Sequence, residues 1–193
     1  MFPWSQFIAY LFAAAYTPGP NNIISLTNGS RFGWRRGIHY NFGQFFALFI
    51  VMNLCVFGSM LLNELMPRVA PYMQMVGAAY ILYLAWKMLR SDTELEEREG
   101  HSGFWYGFGM QFLNPKTYLS VFATAQAHIL PYYGDRPGIL VLFCLGMTIN
   151  AVFASCCWLF GGSVFRRFLS HHGKAVNVVM ALLLAYCAVS LFL

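Results

Sequence analysis

The sequence contains few charged residues: Asp, Glu, Lys and Arg make up 10% of its 193 residues, whereas a soluble domain carries about 25%. Acidic residues are the scarcest, with 7 Asp and Glu against 12 Lys and Arg. Residues 1–30 carry no charged side chain at all, and 59% of the chain is hydrophobic. A soluble protein of this composition would have too little polar surface to face water, so a membrane protein is indicated.

Sequence motifs for metal, redox and hydrolytic chemistry are also missing. The five cysteines form no CxxC pair, and the apolar segments contain no HExxH, no GxSxG and no acidic dyad. We therefore predict no metal, no cofactor and no enzymatic activity, and we interpret the cysteines as small apolar residues inside helices. A membrane thiol oxidoreductase and a passive channel are the alternatives.

Long apolar segments recur along the chain, and a helix needs about 20 such residues to cross a bilayer. We expect the first segment to stay in the protein as helix 1, because it lacks a basic n-region and is too long for the apolar part of a signal peptide. We predict an all-α integral membrane protein of six transmembrane helices, at about residues 4–27, 38–62, 69–89, 104–129, 137–161 and 173–193.

The basic residues are unevenly distributed among the predicted loops. Lys and Arg collect in cytoplasmic loops, which places the loops after helices 1, 3 and 5 in the cytoplasm and both termini outside. The loops after helices 2 and 4 hold only Arg68 and Arg136. Membrane topology therefore explains the positive charge without nucleic-acid binding. The basic residues beside the cytoplasmic loops are Arg31, Arg35, Arg36, Lys87, Arg90, Arg98, Arg166, Arg167 and Lys174.

The predicted topology divides one transporter domain, residues 1–193, into two halves. The first half covers about residues 1–90, a cytoplasmic loop about 90–103, and the second half about 104–193. Helix 1 enters the membrane from outside and helix 4 enters from the cytoplasm. The two three-helix halves are therefore predicted to be inverted repeats.

Each half begins with a helix that is interrupted by prolines. "TPGPNN" starts about thirteen residues into helix 1 and "NPKT" about ten residues into helix 4, which is near the midplane at about 1.5 Å per residue. Interrupted helices at corresponding positions of two halves mark the substrate site of secondary transporters. We predict a substrate site formed by Thr17, Pro18, Gly19, Pro20, Asn21, Asn22, Gln44, Gln111, Asn114, Pro115 and Lys116.

The two interruptions offer groups that would suit an amino acid. Carbonyl groups freed before a break can accept from an ammonium group, and N–H groups after it can hold a carboxylate. The alternative for each break is a simple proline kink, and Lys116 has the alternative of reaching to the membrane interface. An ionisable residue inside the membrane is nevertheless a functional candidate.

The motifs of this chain resemble those of the LysE/RhtB family of bacterial amino-acid exporters. "TPGPN" stands at 17–21, "NPK" at 114–116, and "VGAAYILYLAWKML" at 76–89 resembles the family's third helix. With "NVVMALLLAYCAV" at 177–189, the likeness is to the branch that exports cysteine and O-acetylserine. The resemblance implies a carrier in the bacterial inner membrane, with periplasmic termini, export driven by the proton-motive force, and a homodimer.

The distribution of acids limits the substrate. None of the seven acidic residues lies deep in a predicted helix, whereas a site for lysine or arginine would need a carboxylate for the side-chain cation. We therefore expect a small neutral amino acid, with cysteine, O-acetylserine, serine, threonine and homoserine all open. The candidates for a titrating group are Lys116, His39 and His128.

Overall fold

A computed structural model describes residues 2–90, 102–165, 173–190 and 192, and in these ranges the chain is helical and has no strand. A π-helical turn covers Ala125–Ile129. Most of the predicted cytoplasmic loop at 90–103 lies outside the described residues, and so do Arg98, Arg166 and Arg167. The helices are α1 (Trp4–Tyr16), α2 (Pro20–Phe57), α3 (Ser59–Leu89), α4 (Phe104–Phe112), α5 (Pro115–Thr124), α6 (Leu130–Tyr133), α7 (Pro137–Val164) and α8 (Gly173–Val189).

Both predicted interruptions are present. α1 ends at Tyr16 and α2 begins at Pro20, while α4 ends at Phe112 and α5 begins at Pro115. Each new helix starts with a proline, whose missing N–H costs nothing at a first helical position. Gly19 and Asn114 precede these prolines in extended conformations, so the chain changes course at each break.

The loop predicted at about 28–37 is wrong, because α2 runs through it with one kink, at Gly33. Gly33 has φ 75° and ψ 172°, a conformation that side chains with a Cβ rarely adopt. The two halves of α2 then lie side by side, since Ser25 Oγ donates to Asn41 Oδ1 at 2.9 Å. A single glycine therefore reverses the chain where the sequence suggested a longer basic loop.

The predicted boundary between the second and third helices, at about 62–69, is also wrong. α2 ends before Gly58, and α3 continues through Pro67 and Pro71. Membrane helices tolerate proline where neighbouring groups satisfy the freed carbonyls, so prolines and polar residues at 63–71 are poor markers of a loop. The fourth helix extends beyond the predicted end at 129 through the π turn just before Pro131, whose ring would crowd a regular α-turn.

Close backbone contacts between glycines and neighbouring helices hold the bundle together. A Cβ on Gly29 would collide with the carbonyl of Leu159, and a Cβ on Gly162 would collide with the carbonyl of Leu26. The second half of α2 makes the same kind of contact with α4, where Gly43 meets the backbone of Phe104 and Gly107 meets that of Tyr40. Small residues allow such approach in membrane proteins.

The adjacent pair Gly161 and Gly162 provides a test of this packing. We expect Gly162→Ala to lower the melting temperature of the purified protein, because its methyl group must push α7 away from the backbone of α2. Gly161→Ala is the control, since no atom lies within 4 Å of its Cβ position. It should be neutral or stabilising by roughly 0.5–1 kcal/mol. Equal losses in both variants would contradict the packing interpretation.

The outer surface of the bundle is strongly apolar. α2 and α7 are long and apolar enough to cross a membrane. Large apolar side chains point outward along the helices, including Leu54, Leu142 and Phe153, each more than half exposed. Exposed apolar area on this scale indicates a lipid-facing surface.

Candidate functional site

The two helix breaks meet around one cavity of about 110 Å³. Its other walls come from the second half of α2 and from α7. Beyond the breaks, the lining continues along Tyr10 and Leu11 of α1. Nine of the eleven predicted site residues line this cavity: Thr17, Gly19, Pro20, Asn21, Asn22, Gln44, Gln111, Asn114 and Lys116.

The two remaining predicted residues are prolines that face away from the cavity. The carbonyl oxygen of Pro18 accepts from Cys187 Sγ of α8 at 3.5 Å. The ring of Pro115 packs against Gly77 of α3, where a Cβ would collide with it. Both prolines therefore shape the breaks and anchor them to the outer helices.

Asn22 closes the first break by satisfying the backbone around it. Its Nδ2 donates to the carbonyl oxygens of Ala15 at 2.8 Å and Thr17 at 3.0 Å. The hydroxyl of Thr17 donates back to the carbonyl of Ala14 at 3.3 Å. The carbonyl oxygens of Ala14, Ala15 and Thr17, which the sequence offered to a substrate ammonium, already have side-chain partners within the protein.

The bonds of Asn22 also fix the orientation of Gln44. Because Asn22 must donate through Nδ2, its Oδ1 is the acceptor, and Ser155 Oγ donates to it at 2.8 Å. The Ser155 oxygen then accepts from Gln44 Nε2 at 3.1 Å. This leaves Gln44 Oε1 buried beside the cavity and, within the described residues, without a hydrogen-bond partner.

Asn114 presents a second unpartnered amide oxygen. Gln44 is 3% exposed and Asn114 is 8% exposed, and both line the cavity. Asn114 Oδ1 has no hydrogen-bond partner among the described groups. A buried oxygen without a donor costs about 1–3 kcal/mol, so two such oxygens facing one cavity indicate a place for a donor group from a ligand.

A second hydrogen-bond network joins the two breaks directly. Asn21 Nδ2 donates to Gln111 Oε1 in a short bond, and Gln111 Nε2 donates to Thr117 Oγ1 at 2.9 Å. Tyr40 OH donates to Asn21 Oδ1 at 3.3 Å. Both side-chain amides of this network, those of Asn21 and Gln111, have partners for their nitrogen and oxygen atoms within the protein. The network therefore serves to hold the two breaks together.

Lys116 supplies the positive charge of the cavity. Its Nζ lies 3.4 Å from Thr17 Oγ1, and 3.3 Å from the position that a Cβ would take on Gly19. No other described lining residue is charged. Of the three titrating candidates, Lys116 lines the cavity, whereas His128 packs on Phe7 and His39 Nδ1 donates to the carbonyl oxygen of Arg36.

Three residues of the hydrogen-bond networks around the breaks were not predicted from the sequence. Thr117 directly follows the "NPK" motif, and Ser155 is a lone hydroxyl among apolar neighbours, so both carried a weak signal. Tyr40 carried none, because an aromatic residue near a predicted helix end resembles an interfacial anchor. All three are buried and complete the networks around the two breaks.

The comparison with known families agrees with this architecture. The family described as LysE type translocator matches residues 12–193. The chain belongs to this LysE family. It is therefore a membrane transport protein, and the prediction that it is not an enzyme is confirmed.

Curated relatives cover almost the whole chain. The chain is 37% identical to the cysteine/O-acetylserine efflux protein of Salmonella typhimurium (strain LT2), over 97% of this chain and 96% of the relative. It is 35% identical to the cysteine/O-acetylserine efflux protein of Escherichia coli (strain K12), with the same coverage. The resemblance predicted from the motifs is thereby confirmed. No solved structure matches the chain.

Proposed function

We propose that this LysE family member is a secondary transporter that exports small neutral amino acids, such as cysteine and O-acetylserine, from the cytoplasm. One observation carries the proposal: both helix breaks face one cavity whose described lining holds one cation and two amide oxygens that have no hydrogen-bond partner among the described groups. The relatives named as cysteine/O-acetylserine efflux proteins support the choice of substrate.

An α-amino acid carries the groups that this cavity lacks. The ammonium of Lys116 would pair with the substrate carboxylate, as charge-assisted bonds are among the stronger contacts available. The substrate ammonium would donate to Gln44 Oε1 and Asn114 Oδ1. The described lining contains no Asp or Glu, so a cationic side chain would find no partner there.

The size of the cavity favours a small substrate. Its volume is about 110 Å³, and an apolar cavity of roughly 150 Å³ is known to accept benzene. Leu48, Met52 and Met147 form its apolar wall. A short, uncharged side chain such as that of cysteine suits this wall, and the serine, threonine and homoserine class is the alternative.

We further propose that the chain forms six transmembrane helices in two inverted halves, which rock against each other to give alternating access. The contacts between the halves support this, because the first helix of each half packs on the second helix of the other. α3 likewise packs on α8. With both termini periplasmic, the side of the cavity that is lined by Tyr10 and Leu11 of α1 would lie toward the periplasm.

Transport measurements in vesicles would test the proposal. Protein reconstituted into liposomes loaded with labelled cysteine, O-acetylserine, threonine or lysine should release the neutral amino acids with saturation, and faster with an imposed proton gradient. Lysine should stay inside. Counterflow of labelled cysteine against unlabelled cysteine would separate a carrier from a passive channel. Release of all four amino acids without saturation would contradict a carrier mechanism. Release of lysine alone would contradict a neutral substrate.

Gln44 provides a test of substrate recognition. Gln44→Met should raise the KM for cysteine on the order of tenfold, because it removes one acceptor for a charged donor, worth roughly 1.5–3 kcal/mol. Gln126→Met is the control, since Gln126 does not line the cavity. An unchanged KM in Gln44→Met would assign the ammonium to another partner.

A further inference from the structure

A second pocket, of about 310 Å³, lies between the first half of α2, the end of α3, α4 and α8. It shares no lining residue with the central cavity, and fully buried Ile23 lies at its inner end. We call it the basic pocket. Its walls are apolar, from residues such as Ile24, Leu84, Met88 and Leu184.

Three cations line the basic pocket. Arg31 follows Ile24, Thr27 and Asn28 on one face of α2, at the spacing of successive helical turns. Lys87 follows Leu84 on α3 in the same way. The guanidinium of Arg90 lies over the ring of Trp86, 4.5 Å from its centroid, which holds it beside the pocket. No Asp or Glu belongs to the described lining.

The pocket opens to the apolar outer surface of the bundle. Trp86 is 49% exposed at its edge and Leu89, the last residue of α3, is 55% exposed. Tryptophan is enriched at the level of the lipid headgroups. Lys87 and Arg90 therefore lie at the end of α3, with Arg31 of α2 lining the same pocket, and the remaining walls are mostly apolar.

We propose that the basic pocket binds an anionic phospholipid of the surrounding bilayer. Arg and Lys suit a phosphate group, with Arg able to form two parallel bonds. The apolar walls suit part of an acyl chain, whereas inorganic phosphate has no apolar group to place against them. Basic pockets between membrane helices on the cytoplasmic side bind acidic lipid headgroups. This site is independent of the amino acid carried in the central cavity.

The position of the pocket gives the lipid a structural consequence. Ile23 packs in one apolar cluster with Ile81 of α3 and Leu184 of α8, directly beside the pocket. A lipid seated there contacts α2, α3 and α8 together. Its binding should therefore stabilise the folded protein by mass action, in proportion to the concentration of anionic lipid.

Detergent-purified full-length protein would be titrated with phosphatidylglycerol, phosphatidylcholine or inorganic phosphate, with lipid adducts followed by native mass spectrometry and stability by thermal melting. Phosphatidylglycerol should bind and raise the Tm. Lys87→Gln/Arg90→Gln should bind it roughly thirtyfold more weakly, since each basic residue near an anionic headgroup contributes about fivefold. Arg90→Gln alone should lose about fivefold in affinity, and the variant should fold normally because the Arg90 side chain is exposed.

The matched control is Arg68→Gln/Arg136→Gln, which removes the same charge from exposed positions elsewhere. Equal weakening in both double variants would overturn the proposal, because it would reduce the effect to net charge. Equal binding of phosphatidylcholine would overturn it, as would equal stabilisation by inorganic phosphate. Binding that appears only after Asp92, Glu94, Glu96 and Glu97 are neutralised would also overturn it, by assigning the pocket to that acidic segment.

Discussion

Replacement of Lys116 with methionine should reduce cysteine efflux on the order of a hundredfold without impairing membrane insertion. Among the described residues that line the cavity, Lys116 is the charged one. Its Nζ lies next to Thr17 Oγ1 and to the backbone of Gly19. Removing one partner of a desolvated charge pair costs about 2–5 kcal/mol, and the substrate carboxylate would lose that partner. Efflux from reconstituted vesicles, with protein content matched, measures the loss.

Two further variants, each replacing a lysine, test whether Lys116 acts through the position of its charge. Lys174→Met removes a lysine that is exposed at the start of α8, and it should transport normally. Lys116→Arg keeps the charge but should restore little activity, because a planar guanidinium on a longer side chain does not place its charge where the compact ammonium lies, 3.4 Å from Thr17 Oγ1. Normal efflux in Lys116→Met and Lys116→Ala would contradict a substrate site between the breaks.

The same lysine shows how much of the site was predictable from the sequence. A lysine inside an apolar segment is rare because lipid penalises charge, and two prolines around a glycine free backbone groups that need other partners at membrane depth. Their cost made Thr17–Asn22 and Asn114–Lys116 visible without any structure. The partners of these residues are ordinary: Ser155 and Tyr40 differ from other helical residues only in where the fold places them.

The fold was predictable where composition determines it and unpredictable where one residue does. Apolar length indicated the helices, and the prolines indicated the breaks at Pro20 and Pro115. The reversal of the chain was expected at about 28–37, but its confinement to Gly33 was not, because a single glycine with positive φ leaves no compositional signal and the basic residues around it suggested a longer loop. At Pro67 and Pro71 the error was the opposite one, since proline indicated an interruption that the helix absorbs.

Asn22 should be required for the shape of the first break, in contrast to the substrate contact expected of Lys116. Its Nδ2 donates to the carbonyl oxygens of Ala15 and Thr17, and its Oδ1 accepts from Ser155. Asn22→Asp is nearly isosteric but places a carboxylate oxygen against two carbonyl oxygens. An uncompensated buried charge costs about 3–5 kcal/mol. Efflux should be lost, and the Tm should fall with it.

The control for Asn22→Asp is Asn53→Asp, the same replacement at another position on α2. There Nδ2 donates to a single carbonyl oxygen, that of Phe49, at 2.8 Å. It should retain most of its efflux, because Asn53 does not line the cavity.

Asn22→Ala should also abolish transport, with a smaller fall in Tm, since it removes the donors without adding a charge. If Asn22→Asp keeps the wild-type Tm and loses only efflux, Asn22 contacts substrate and the break is held by other groups. If it loses both while Lys116→Met loses only efflux, the first break has a structural residue and a binding residue within one cavity.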